Sequence, residues 1–248
     1  MPSHAEILAS LDPAAEPRLV FVRRAPRGIG ERPGTLLCLD ASFNPLTVAH
    51  VALVAEAARG VPPDEVLLLL AKTNVDKDVT GFPLEARLAM LDRFVALRPE
   101  TSLAVVSHAR FADKVAAIRP HYPPTTRLLL LLGYDTLLRL FDPKYYADPD
   151  ASLRTLFAEA EVIVANRAPD PPAAVADFLT RPQVRLYAPH IHPIRLPDAV
   201  AAISASRVRA CLAKGEPIAD LVPPEILPLL MADSSLLEAD GNAGQANE

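Results

Sequence analysis

The feature that most constrains this chain is the length and spacing of its apolar runs. Thr35 to Leu39, Glu65 to Ala71, Ser102 to Ser107, Arg127 to Leu132 and Glu161 to Ala165 are five to seven residues long and apolar without strict alternation. A strand covered on one face alternates apolar and polar residues, whereas a strand covered on both reads as a continuous apolar run. Runs this short, bounded by proline, glycine or polar residues, favour strands over buried helices. Longer segments of helical pattern lie between them: Thr47 to Arg59, Pro83 to Leu97, Phe111 to Ile118 and Asp150 to Ala160. The second has Pro83 and Glu85 in its first turn and Leu84, Leu88, Leu91 and Val95 along one face.

Strand and helix therefore alternate, which predicts an α/β fold: a Rossmann-like, mainly parallel sheet with helices on both faces and right-handed crossovers. In such a sheet the ligand site lies at the carboxyl ends of the strands. Arg18 to Arg23 reads as an extra strand for a sheet edge. Residues 1–34 are thus expected to form an amino-terminal extension and 35–231 the main domain. The polar, acidic residues 232–248 are expected to be a disordered tail.

Composition removes several classes of function. The 248 residues carry a net charge of −5, which argues against nucleic acid as the main partner. Two cysteines cannot make a disulfide framework or a four-ligand zinc site, and Cys38 sits in an apolar run as a small buried hydrophobe would. His190 and His192 form an HxH pair without a neighbouring cysteine or carboxylate, a weak metal signal, so no metal-ligating residue is assigned. No segment approaches a membrane span of roughly 18 apolar residues, and the amino terminus lacks the pattern of a secretory signal. The expected location is the cytoplasm or nucleus. Gly28 and Gly30 do not open a helix as a dinucleotide fingerprint would, and no GxxxxGK[ST] loop is present.

Chemistry is expected just after the strands. At Leu39 to His50 (LDASFNPLTVAH) the first core strand ends at Asp40 and turns through Ser42, Phe43, Asn44 and Pro45 into a helix near Thr47. That arrangement aims backbone N–H groups at a ligand above the sheet edge. Thr47 and His50 are three apart and share a face, which fits a phosphate site and equally a helix cap. In Ile203 to Arg209 (ISASRVR) Ser204 is a good N-cap for a helix to about Lys214, and Ser206 and Arg209 share a face of it. Gly133-Tyr134-Asp135 follows the leucine-rich strand; Asp135 suits a diol or an N-cap.

These motifs resemble the nicotinamide mononucleotide adenylyltransferase family of nucleotidyltransferases, with its GSFNPxTxxH and ISxTxxR signatures. The LDxSFNPxTxAH form is closest to the divergent fungal branch; Ala41 stands at the glycine position and Ser206 at the threonine position. The resemblance covers roughly Thr35 to Gly215. It implies adenylyl transfer from ATP to nicotinamide or nicotinate mononucleotide, forming NAD or its deamido form and pyrophosphate, with Mg²⁺ held mainly by the ATP phosphates. His50, Lys77 and Arg209 would be catalytic. Ser42, Phe43, Asn44, Thr47, His50, Ser204, Ser206 and Arg209 would bind ATP, and Gly133, Tyr134, Asp135 and Arg167 the mononucleotide. Lys72, Asn74 and Lys77 resemble the branch's NxDK loop. Arg87 resembles a recurrent arginine of the branch, with Glu85 or Asp92 as alternative ion-pair partners, and Asp40 is an additional candidate Mg²⁺ ligand. Family members stack the pyridine ring on aromatics, often tryptophan, and this chain has none. Tyr134 is the first candidate, with Phe82, Phe141, Tyr145 and Tyr146 as substitutes. A different phosphorylated acceptor, or nucleotide binding or hydrolysis with little transfer, remains an alternative reading.

Overall fold

The computed structural model describes residues 2–73, 81–166 and 172–232. In chain order its elements are α1 (His4–Ala9), β1 (Leu19–Arg23), β2 (Thr35–Asp40), α2 (Val48–Gly60), β3 (Glu65–Ala71), α3 (Leu84–Val95), β4 (Thr101–Val106), α4 (Phe111–Ile118) and β5 (Arg127–Gly133). There follow α5 (Tyr134–Leu140), α6 (Pro149–Glu159), β6 (Glu161–Ala165), α7 (Pro172–Leu179), α8 (Pro182–Arg185), β7 (Ile191–Ile194), α9 (Asp198–Ala201), α10 (Ala205–Ala213) and α11 (Leu227–Ala232). Among the described residues no helix is long and apolar enough to cross a membrane.

The seven strands form one sheet in the order β1-β4-β3-β2-β5-β6-β7. All neighbours are parallel except β1, which lies antiparallel on β4 at the edge expected of it. The continuous apolar runs follow from burial on both faces. Leu37, Leu39, Leu68, Leu70, Leu129 and Leu131 enter one core with α2, α3 and α10. Their neighbours in the chain, Leu36, Cys38, Leu67, Leu69, Leu128 and Leu130, enter the other with α4, α5, α6 and α7. Full burial raises the Cys38 thiol pKa, as fits an inert core residue.

From β2 the chain steps outward to β3 and β4, then returns across the sheet through α4 to β5 on the far side of β2. That reversal puts α2 and α4 on opposite faces and opens a crevice above the end of β2. One part of the sheet differs from the sequence reading. Ile191 to Ile194, read only as part of a histidine pair, forms the edge strand β7, where His192 Nε2 lies 2.5 Å from Glu161 Oε2. Residues 19–23 belong to the main sheet, and Ile7 and Leu11 enter its core, so the extension is structurally continuous with the domain.

Candidate active site

A cleft of about 590 Å³ opens above the sheet at Asp40, Ala71, Gly133 and Ala165, the ends of β2, β3, β5 and β6. One wall carries Ser42, Asn44, Thr47, His50, Ser204, Ser206 and Arg209; the other carries Arg110, Lys114, Asp135, Arg139, Tyr145 and Tyr146.

The loop between β2 and α2 is held by side chains from far along the chain. Asn44 is buried, and its Oδ1 accepts the Phe82 N–H at 2.9 Å. Arg209 Nη1 donates to the Asn44 carbonyl at 2.7 Å, while Nη2 lies 3.3 Å from Ser206 Oγ. Arg87 donates from Nε to Phe82 O at 2.8 Å and from Nη1 to Ser42 O at 3.2 Å. Burial lowers the Arg87 pKa, and the nearby Arg209 charge adds to this. The choice between Glu85 and Asp92 as its partner is therefore resolved against both, because Arg87 turns inward to carbonyls and Asp92 pairs with Arg23 and His4. Gly81 permits the assembly: at φ +108°, a Cβ there would stand 2.6 Å from Arg209 Cδ and 2.8 Å from Asn44 Oδ1.

The loop's left-handed residue is Phe43, at φ +43°, and not Ala41. An alanine therefore fits at the position where the family signature has glycine. The Phe43 side chain is buried in the core, 5.3 Å from the His50 ring, so it supports the loop from beneath and does not line the cleft.

His50 accepts the Thr47 N–H on Nδ1 at 3.0 Å, with Thr47 Oγ1 at 2.8 Å. An acceptor Nδ1 leaves the proton of the neutral ring on Nε2, making that edge a donor. The cap reading of this pair is the one the contacts show, and capping fixes the tautomer. The expected row of outward N–H groups at α2 is smaller than the sequence suggested, because the Val48 N–H donates to Leu221 O at 3.0 Å. Ser204 is the N-cap of α10, accepting the Arg207 N–H at 3.1 Å.

On the other wall, Tyr134 is a correction. It is buried, its hydroxyl donates to Ala174 O at 3.2 Å, and its ring meets Phe178 edge-on, so it cannot stack on a ligand in the cleft. The backbone explains it: α5 begins at Tyr134, whose first-turn position points into the core while Asp135 faces the cleft. The N-cap is Gly133, not Asp135, and its φ of −81° requires no glycine. Tyr145 and Tyr146 line the cleft, with the Tyr146 hydroxyl anchored on Leu140 O at 2.8 Å. Phe82 and Phe141 lie in the two cores. Asn74, Lys77 and Arg167 lie outside the described residues. Lys72 turns away to donate to Leu11 O at 2.5 Å.

Lys114 was not anticipated. Its Nζ lies 2.6 Å from Asp40 Oδ2 at the cleft floor, with both side chains about nine-tenths buried. Asp40 is thus engaged by a lysine, and among the described residues no group of three or more His, Cys, Asp or Glu is arranged to hold a metal. A helical-pattern residue such as Lys114 gives no sign of function until the β4–β5 return is known.

Comparison with known proteins agrees with this geometry. Residues 38–210 match the cytidylyltransferase-like family model. A Schizosaccharomyces pombe protein assigned by name as a nicotinamide mononucleotide adenylyltransferase is 30% identical over 67% of this chain and 65% of its own length. An Aeromonas hydrophila protein assigned by name as a nicotinate-nucleotide adenylyltransferase is 30% identical over 76% of this chain and 90% of its own. The solved Plasmodium falciparum nicotinic acid mononucleotide adenylyltransferase in complex with NaAD shares the fold, with TM-score 0.59 and 16% identity over 82% of this chain and 97% of that one. With both signature motifs on one wall of the cleft and the family model spanning them, the chain belongs to the cytidylyltransferase-like family, among relatives named as nicotinamide- and nicotinate-nucleotide adenylyltransferases.

Proposed function

We propose that this protein transfers the adenylyl group of ATP to nicotinamide or nicotinate mononucleotide, giving NAD or its deamido form and pyrophosphate. The observation that carries the reading is the Arg209 bond to the Asn44 carbonyl, which joins the two phosphate-handling motifs across 165 residues of chain. A 5′-phosphate oxygen of the mononucleotide attacks the α-phosphorus of ATP. The bond from that phosphorus to the bridging oxygen breaks, and pyrophosphate leaves with the electron pair.

The reaction needs no protein nucleophile. It needs two anions aligned and the charge on non-bridging oxygens offset, which fixed donors in a cleft supply. ATP lies against Ser42, Asn44, Thr47, His50, Ser204, Ser206 and Arg209. His50 donates from Nε2, and Arg209, held by the Asn44 carbonyl and Ser206, brings a fixed positive charge to the phosphates. Lys77, named from the motif, adds a cation from the loop after β3. The mononucleotide lies on the opposite wall, where Asp135 accepts from a ribose hydroxyl and Tyr145 and Tyr146 offer the flat surfaces that Tyr134 does not; Arg167 is the motif's cation on that side. Mg²⁺, on the family resemblance, would enter with ATP and be held mainly by its phosphates. When bound, that ion neutralises phosphate charge.

The test is purified protein with ATP, Mg²⁺ and a panel of mononucleotides, scored for pyrophosphate and dinucleotide. A pyridine dinucleotide formed in step with pyrophosphate is the expected result. Phosphate release without dinucleotide would overturn the reading.

A further inference from the structure

We propose that Lys114 is a further phosphate-contacting cation of this cleft, with Asp40 as its positioning residue. The proposal rests on the adenylyl-transfer reading for its substrate but on separate residues for its argument. Asp40 is the last residue of β2, the strand at which the sheet order reverses, and it immediately precedes the 41–47 loop. Lys114 comes from α4 on the opposite face and reaches the same point, so its ammonium lines the cleft beside the end of β2. On the adenylyl-transfer reading, the acceptor phosphate and ATP meet over these strand ends.

Energetics set this pair apart from a fold requirement. Both side chains are about nine-tenths buried, although the cleft they line also carries polar groups. A buried ion pair in such a setting is on average no better for stability than well-packed apolar side chains, because desolvation offsets the attraction. An ammonium has three donors, and the Asp40 contact occupies one of them. The Phe111 ring, 4.9 Å from Nζ, further restricts where that ammonium sits. A cation held still at a floor from which water is largely excluded stabilises charge developing on a phosphate without reorganising during the reaction.

Removing Lys114 alone would strand the Asp40 carboxylate, so the test uses neutral pairs: Asp40→Asn with Lys114→Met, and, as a second pair able to hydrogen-bond internally, Asp40→Asn with Lys114→Gln. Three quantities are read: the unfolding midpoint, the Kd of inorganic pyrophosphate by calorimetry, and kcat beside both KM values. A neutral pair should melt within a few degrees of wild type, bind pyrophosphate about tenfold or more weakly, and lose about thirtyfold or more in kcat with smaller changes in KM. A folded neutral pair with wild-type pyrophosphate affinity and kcat within about twofold would overturn the proposal. Failure of both pairs to fold would assign the ion pair to the fold and overturn it equally. Wild-type protein whose pyrophosphate binding depends on Lys114 but which forms no dinucleotide would instead count against the acceptor reading alone.

Discussion

Gly81→Ala should damage both stability and turnover although residue 81 touches no proposed substrate group. The glycine adopts φ +108°, a conformation L side chains rarely take, and its missing Cβ position is 2.6 Å from Arg209 Cδ, 2.8 Å from Asn44 Oδ1 and 2.9 Å from Asn44 Nδ2. Forcing a side chain into such backbone costs roughly 1–3 kcal/mol. Asn44 is buried and holds the Phe82 N–H, so the flexible Arg209 is the group that must yield. Moving it loosens its 2.7 Å bond to the Asn44 carbonyl, a charge-assisted bond worth about 1.5–3 kcal/mol. A combined loss of roughly 2.5–6 kcal/mol, at about 2–4 °C per kcal/mol for a domain of this size, lowers Tm by on the order of 10 °C. Because the displaced group is the arginine tying the two phosphate motifs together, kcat should fall with it. Calorimetric unfolding and steady-state kinetics at a temperature where both proteins are folded separate the two effects. Gly60→Ala is the control, since Gly60 ends α2 with nothing within 4 Å of its Cβ position, and it should be neutral or slightly stabilising. A Gly81→Ala protein with wild-type Tm and kcat would refute the reasoning.

Replacing His50 by Ala should lower kcat on the order of a hundredfold while the protein stays folded, because it deletes a fixed donor and one cap contact; an unchanged kcat in stopped-time product assays would remove His50 from the chemistry. In Tyr146→Ala the KM for the mononucleotide should rise several-fold and that for ATP hardly move, since offset stacking is worth about 0.5–1.5 kcal/mol; equal shifts in both constants would reject Tyr146 as a ring partner. Glu161 has its pKa lowered to about 2, first by the Arg127 hydrogen bonds and then by His192. A lowered folded-state pKa gives stability that is present above the unfolded value near 4.5 and lost as pH falls toward 2. Tm measured across that window should therefore drop more steeply for wild type than for Glu161→Gln, and parallel curves would deny the link.

The strand runs were legible because burial on both faces leaves a direct mark on composition: successive residues of Leu128 to Leu132 feed opposite cores, so no polar residue fits in between. The local geometry of Asn44 to His50 and Ser204 to Arg209 was legible because a turn and a cap need particular residue types at short spacing. β7 was missed because His192 and Pro193 break the apolar pattern on a four-residue strand at a sheet edge. Tyr134 was misplaced for a different reason. The sequence places it beside Asp135, but on a helix consecutive residues point about 100° apart, so only one of the two could face the cleft. Gly81 was not singled out from the sequence, because its meaning depends on Arg209, more than a hundred residues away.

The acceptor wall was the hardest to read, and topology explains why. Residues of the phosphate wall sit within the two motifs, next to the strand end or helix they cap. The opposite wall is assembled by the return from β4 to β5, which carries α4 across to the other face and brings Arg110 and Lys114 to a strand end laid down some seventy residues earlier. Side chains recruited in that way need only the right charge and reach, so a lysine in an ordinary amphipathic helix suffices. The same freedom applies to ring stacking: any aromatic that the α5–α6 connection delivers to the cleft can serve, which is how Tyr145 and Tyr146 can stand in a chain without tryptophan. On the proposed reading, phosphate handling is tied to local backbone geometry and the choice of acceptor to long-range packing. Variants at Tyr145 and Tyr146 are where acceptor preference should be altered without dismantling the ATP site.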